Sequence, residues 1–202
     1  MTKKPTFEFW FEFASTYSYL SVNRIEELTN KERIDIQWKP FLLGPTFNAQ
    51  GWKTSPFNIY EAKGVYMWRD IERLCDKYEL PFNKPSEFPR NGILAARVVL
   101  AYEGETWVQE FTKRVFTANF AEDRDISSEE VIGSILSTLE LDAPRIIESA
   151  KEQDNKDRLR AQTQQSVDKG IFGAPTFVIG DEIFWGNDRL EDAIAFFKNI
   201  CS

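Results

Sequence analysis

The sequence predicts an α/β protein: a small mixed sheet built from both ends of the chain, with a large all-helical block between them. Three observations predict it. The N-terminal segment passes from strand to helix to strand spacing, the central segment carries only helical spacing, and two short apolar runs near the C-terminus flank a tight turn. A hairpin next to a parallel strand pair gives a mixed sheet only if the two chain ends associate. Residues 1–44 with 165–202 therefore form one discontinuous α/β domain, and residues 45–164 the helical insertion.

Phe7, Phe9, Phe11 and Phe13 alternate with Glu8, Trp10 and Glu12, which is the period of a strand rich in strand-favouring aromatics. From Tyr17 the apolar residues Leu20, Val22, Ile25 and Leu28 shift to helical spacing, with Ser15 at the helix start. Residues 33–39 alternate again through Ile34, Ile36 and Trp38 until Pro40. Strand–helix–strand over this length is a βαβ unit with a right-handed crossover. Residues 41–60 carry loop signals in Gly44-Pro45, Gly51 and Ser55-Pro56.

A helix follows, with Ile71, Leu74, Cys75 and Tyr78 on one face and Pro81 ending it. Residues 91–102 are rich in Ala and aliphatic residues, and Trp107, Phe111 and Val115 mark the next helix. Ser127-Ser128-Glu129-Glu130 has the composition of a capping box, and Asp142 with Pro144 reads as an N-cap and first turn. Thr176 to Ile179 and Ile183 to Trp185 are strands about the Gly180-Asp181 turn, and Asp188 opens a last helix through Leu190, Ile194 and Phe197.

The 202 residues contain no histidine. That excludes His-activated serine or cysteine nucleophiles, a histidine general base and imidazole-bound zinc. With 25 Lys+Arg against 32 Asp+Glu the formal charge is −7, which disfavours nucleic acid and anionic membranes as partners. Cys75 and Cys201 are the only cysteines and form no CxxC, so no disulfide framework or metal site is expected, and a reducing compartment fits. The N-terminus has no signal-peptide core and no apolar run reaches the ~18 residues of a membrane span. The expectation is a soluble cytoplasmic protein.

Three positions could carry chemistry. Ser15 is either a plain helix cap or a hydroxyl aimed at a ligand from the positive end of a helix. Ala174-Pro175 precedes a strand; a cis bond would present the Ala174 amide and carbonyl to an extended peptide, whereas a trans proline would merely end a turn. Asn187-Asp188 opens the last helix, where free amides suit a carboxylate and Asp188 could equally be a simple cap. Lys63, Arg69 and Arg73 read as a solvated helix face in preference to one of them lining an anion site, Cys75 as a buried small hydrophobe, and the aromatics Trp52, Tyr60, Tyr66 and Trp68 as core packing in preference to a pocket wall.

Five ordered segments together resemble the 2-hydroxychromene-2-carboxylate isomerases, thioredoxin-like relatives of the kappa-class glutathione transferases and bacterial disulfide oxidoreductases. They are FEFASTYSYL (Phe11 to Leu20), FLLG (Phe41 to Gly44), KGVYMWRD (Lys63 to Asp70), GAPTF (Gly173 to Phe177) and FWGNDRL (Phe184 to Leu190). The resemblance spans about residues 6 to 198. It implies a thioredoxin-like mixed sheet with a helical insertion, a homodimer, and glutathione as a regenerated cofactor. By the same resemblance Ser15 is the active serine, Ala174 and Pro175 the cis-proline site, Asn187 and Asp188 the γ-glutamyl site, and Lys63 and Trp52 lie near the tripeptide. The sequence departs from the family in reading Ser15-Thr16 for the usual Ser-Pro and Gly51-Trp52 for a frequent Gly-Asn.

The implied chemistry needs no histidine. A free thiol has a pKa of about 8.5, and a hydrogen bond from Ser15 to a thiolate, at ~1.5–3 kcal/mol, lowers it by roughly 1–2 units. The thiolate adds to a conjugated enone, rotation follows, and elimination releases the isomer. The implied partner is a small aromatic carboxylate or other electrophile. A kappa-like glutathione transferase on other electrophiles and a non-catalytic thioredoxin-like binding protein are the alternatives. Disulfide oxidoreduction is excluded, since Ala14-Ser15-Thr16-Tyr17 carries no thiol.

Overall fold

The computed structural model describes residues 5–49 and 51–201. Four strands, β1 (Phe7–Phe11), β2 (Ile36–Pro40), β3 (Thr176–Ile179) and β4 (Glu182–Trp185), form one sheet in the order β2-β1-β3-β4. β1 runs parallel to β2, with Phe7 opposite Ile36 and Phe11 opposite Pro40. It runs antiparallel to β3, with Phe7 opposite Ile179 and Trp10 opposite Thr176. The two chain ends therefore meet at the centre of the sheet, as the sequence predicts.

The aromatic alternation explains the placement. Phe7, Phe9 and Phe11 are fully buried on one face, where Phe9 stacks on Phe177 at 5.5 Å and meets Trp38 edge-on at 5.2 Å. The opposite face is covered as well: Trp10 packs with Phe41, Ile171 and Val178 in a second cluster. All four residues of β3 are buried, so the centre of the sheet has no solvated face. Each aromatic pair adds ~0.5–1.5 kcal/mol beyond its burial.

Helix α1 (Thr16–Lys31) links β1 to β2, and α10 (Leu190–Cys201) closes the chain beside it. Between β2 and β3 run α2 (Leu43–Ala49), α3 (Pro56–Ile59), α4 (Glu61–Lys77), α5 (Ile93–Ala101), α6 (Val108–Phe120), α7 (Glu129–Thr138), α8 (Ala143–Lys151) and α9 (Gln153–Asp168). The insertion is all-helical among the described residues. Its core is continuous with the sheet: Phe13 packs on Phe116 at 5.0 Å and Tyr19 on Phe120 at 5.6 Å.

Three local expectations need correction. β2 begins at Ile36 and not at residue 33, because α1 runs to Lys31 and Arg33 turns the chain with φ +56°. Residues 41–60 are not all loop; Pro45 and Pro56 sit in the first turns of α2 and α3, where a missing N–H costs no hydrogen bond. The expected capping box does not form. Ser128 is the N-cap, so the third helical position is Val131 and not a glutamate, and the Ser127 hydroxyl instead donates to Asp125 at 2.7 Å. Asp142 does cap α8, accepting from the Arg145 amide at 3.3 Å.

A candidate active site at the sheet edge

β1 ends at Phe11, and the chain reaches α1 through Glu12, Phe13 and Ala14. Two contacts pin this connection: the Ser15 amide donates to the Glu12 carbonyl at 2.9 Å, and Asn119 Nδ2 donates to the Phe13 carbonyl at 3.1 Å. Gly92 lets the start of α5 close on the same point, since a Cβ there would lie 2.5 Å from Phe13 Cβ. Ser15 is extended and caps α1, its Oγ accepting from the Ser18 amide at 3.2 Å. The same oxygen donates to the Ala174 carbonyl at 2.9 Å, across 159 residues of chain. Ser15 is therefore the helix cap that one reading expected, and its hydroxyl also meets the Ala174-Pro175 segment.

The Ala174-Pro175 bond is cis. The Pro175 carbonyl accepts from the Gly186 amide at 2.9 Å, and Gly186 takes φ +111°, where a side chain is disfavoured. The Ala174 amide donates to nothing among the described residues. Asn187 is 3% exposed and begins a short 3₁₀ turn (Asn187–Arg189) ahead of α10. Its Oδ1 accepts from Ser21 Oγ at 3.1 Å and from Arg24 at 2.9 Å, which leaves Nδ2 as a donor with no partner among the described residues. Arg24 also pairs with Glu191 and lies 4.1 Å over the Tyr78 ring. Asp188 is exposed, 3.8 Å from Arg189.

The opposite wall comes from the insertion. Trp52 is half-buried against Phe47 at 5.9 Å, and Lys63 is exposed on α4, over the Tyr60 ring at 4.8 Å. Tyr17 donates to Asp70 at 3.0 Å; burial first, then the Asp70 charge, pushes its phenol up. The expectation that Trp52, Tyr60, Tyr66 and Trp68 are packing residues fails for three of them. Tyr60 is exposed, Trp52 and the exposed Tyr66 line the cavity, and Trp68 packs edge-on against Phe88 at 4.9 Å.

These walls enclose a cavity of about 1410 Å³. Ser15, Ala174, Asn187, Asp188, Lys63 and Trp52 all line it, whereas Pro175 is buried and is not among the lining residues. Sequence reasoning missed Glu12, which also lines the cavity. Strand alternation assigned it to the outer face of β1, but β1 stops one residue short of it. Desolvation by burial raises the Glu12 carboxyl to about 7, although the Ala14 backbone pulls it back. A second cis bond, Phe88-Pro89, also went unforeseen.

The DSBA-like thioredoxin domain profile matches residues 6–195. The chain belongs to that family. Among curated relatives it is 28% identical to a 2-hydroxychromene-2-carboxylate isomerase of Sphingobium xenophagum, over 95% of this chain and 96% of the relative. It is 22% identical to glutathione S-transferase kappa 1 of Caenorhabditis elegans, over 94% and 89% respectively. A solved 2-hydroxychromene-2-carboxylate isomerase structure superimposes with a TM-score of 0.87 at 23% identity, covering 97% of this chain and 96% of that one, which shows a shared fold.

In this DSBA-like chain the residue facing the cis proline segment is a hydroxyl and no thiol lines the cavity. Cys75 is buried within α4, its thiol pushed up to about 12 by burial, and Cys201 lies exposed near the end of α10. A dithiol cycle has no residues to run on. What the cavity offers is a set of donors: the Ser15 hydroxyl, the Ala174 amide, Asn187 Nδ2 and the start of α1.

Proposed function

We propose that the protein is a glutathione-dependent isomerase of 2-hydroxychromene-2-carboxylate-type aromatic degradation intermediates. One observation carries the reading: Ser15 Oγ, at the N-cap of a 16-residue helix, is held 2.9 Å from the carbonyl of a residue whose own amide is open. That arrangement suits the backbone and sulfur of a cysteinyl ligand. The fit extends further, because Asn187 Nδ2 is a free donor oriented through its oxygen, and a cavity of about 1410 Å³ exceeds the ~300–1,000 Å³ of a single small-ligand site. A tripeptide and a second, aromatic molecule have room together. The kinship to a named isomerase supports the substrate class.

Bound glutathione supplies the sulfur nucleophile that the cavity lacks. Ser15 turns its hydroxyl hydrogen from the Ala174 carbonyl toward the sulfur and favours its ionised form. The Ala174 amide and carbonyl hold the cysteinyl backbone, while Asn187 and Asp188 hold the γ-glutamyl end. Lys63 and Trp52 flank the ligand from the insertion side. The thioredoxin-like domain of residues 1–44 and 165–202 thus binds glutathione, and the 45–164 insertion shapes the electrophile site. The protein works in the cytoplasm as a homodimer. Transfer of glutathione to other electrophiles is a second reading, favoured by the wide cavity and by kinship to a kappa-class transferase.

The test is a thermal melt of wild type and Ser15→Ala with reduced glutathione and with its S-methyl form. Ligand at a hundred times its dissociation constant adds about 2.7 kcal/mol. Stabilisation of wild type by reduced glutathione, reduced in Ser15→Ala, supports the reading; isomerisation of a hydroxychromene carboxylate then separates it from transfer. Loss of the Ser15 hydrogen bond is expected to lower turnover by roughly 10- to 100-fold. No shift with either ligand up to millimolar concentration leaves a binding protein of another kind.

A further inference from the structure

The Glu12 carboxyl has one local partner, a backbone hydrogen bond from Ala14, and no cation beside it among the described residues. The residue sits at the mouth of β1, three residues before Ser15, and its backbone carbonyl holds the Ser15 amide at 2.9 Å. Glu12 lines the cavity, is half-buried, and forms no ion pair among the described residues. A half-buried carboxyl without a cation opposes folding whenever it ionises, and proteins keep such groups where they are used.

Most charged neighbours around the cavity have partners of their own. From the α1 side, Tyr17 donates to Asp70. From the segment before α5, Arg90 is tied to Asp123 and to the carbonyls of Asn119 and Arg124. From α4, Lys63 lies over Tyr60, Lys77 over Tyr78 at 5.0 Å, and Arg73 over the exposed Tyr66 ring at 5.7 Å. From the start of α10, Asp188 is close to Arg189. Lys53 is exposed at the cavity rim. None of them pairs with Glu12.

Addition and elimination at a conjugated 2-oxo acid need a group that can hold and return one proton near neutral pH. The chain has no histidine, the cavity has no thiol, and the Tyr17 phenol is pushed upward, away from that range. We propose that Glu12 is the acid–base group of the cavity, taking the proton that the bound thiol gives up and lending it to the substrate oxygen where negative charge develops. The proton returns to sulfur when the product leaves, so no proton or electron is consumed. A carboxyl held at about 7 suits this, because the neutral acid puts no second negative charge beside the thiolate. The proposal rests on the glutathione reading above.

Its test reads the ultraviolet absorbance of bound glutathione thiolate against pH, without substrate, in wild type, Glu12→Gln and Glu12→Asp. Two sites sharing one proton titrate in coupled steps. Wild type and Glu12→Asp are expected to show a two-step rise and Glu12→Gln a single step, with the glutathione thermal shift kept in all three. In turnover, Glu12→Gln is expected to lose roughly a hundredfold at the optimum. Its bell-shaped pH profile should become a single rising limb, and Glu12→Asp should recover part of the rate. Identical single-step titrations in wild type and Glu12→Gln, with glutathione bound, overturn the proposal alone. Absence of glutathione binding by wild type overturns the parent reading, and this one with it.

Discussion

The two walls of the cavity are built differently. On the sheet side Ser15 and Asn187 are 9% and 3% exposed, and each is fixed by two hydrogen bonds to groups distant in sequence or at a helix cap. On the insertion side Lys63 is exposed and Trp52 half-buried, and their contacts are to rings, not to directional polar partners. Buried and doubly bonded groups keep their geometry when a ligand arrives; exposed side chains on a helix face do not have to. Under the proposed function the sheet wall carries the chemistry and the insertion wall makes the adaptable substrate contacts.

The strongest way to sharpen this contrast is through Glu12, the least compensated group of the sheet wall. Its carboxyl stands at about 7 folded against an ordinary 4.5. Because the folded value is raised, its contribution to stability is fully present below about pH 4.5 and is lost as pH rises through 7. Glu12→Gln never ionises. The variant is therefore expected to match wild type near pH 4 and to exceed it above pH 8, by at most about 3 kcal/mol. Denaturant titrations at the two pH values check this. An equal difference at both would mean that Glu12 is solvated and the sheet wall less closed than its geometry indicates.

How much of each wall was legible in the sequence follows the same division. The sheet could be read because Phe7, Phe9 and Phe11 alternate cleanly and a mixed sheet needs both chain ends. Ser15, Ala174 and Asn187 could be singled out because each stands at a junction between elements. Their meeting could not be read from spacing: 159 residues separate the bonded Ser15 and Ala174. Glu12 was hidden because strand alternation does not say where a strand ends. The insertion wall was misread for a related reason. Aromatic residues at helical spacing look like core, and only the packing of α4 shows that Tyr66 faces outward while Met67 and Ile71 face in.

A smaller effect is expected at Arg24, which never reaches the ligand in the proposed reading. Its guanidinium donates to the Asn187 side-chain oxygen Oδ1 and so aims Nδ2. Arg24→Met keeps the stem and removes that bond. Its pairing with the half-exposed Glu191 contributes little to stability. Loss of one charge-assisted hydrogen bond of ~1.5 kcal/mol predicts roughly tenfold weaker glutathione binding with turnover at saturation little changed. Calorimetry of both proteins measures it. Binding unchanged in Arg24→Met would mean that Ser21 alone orients Asn187, and that the sheet wall is over-determined.

The smallest effect belongs to Lys63. An exposed ammonium over a ring contributes below about 1 kcal/mol, so Lys63→Ala is expected to change the KM for glutathione by less than about fivefold, with the melting temperature unmoved. The expected ranking is therefore Arg24→Met above Lys63→Ala, even though Lys63 carries the larger apparent claim by sequence resemblance. The reverse order would break the comparison: it would require α4 to close over the ligand and bury Lys63, making the insertion wall a binding wall on equal terms with the sheet. Salt separates the two cases, because an exposed lysine loses its small contribution between low and physiological ionic strength, whereas one buried by closure keeps most of it.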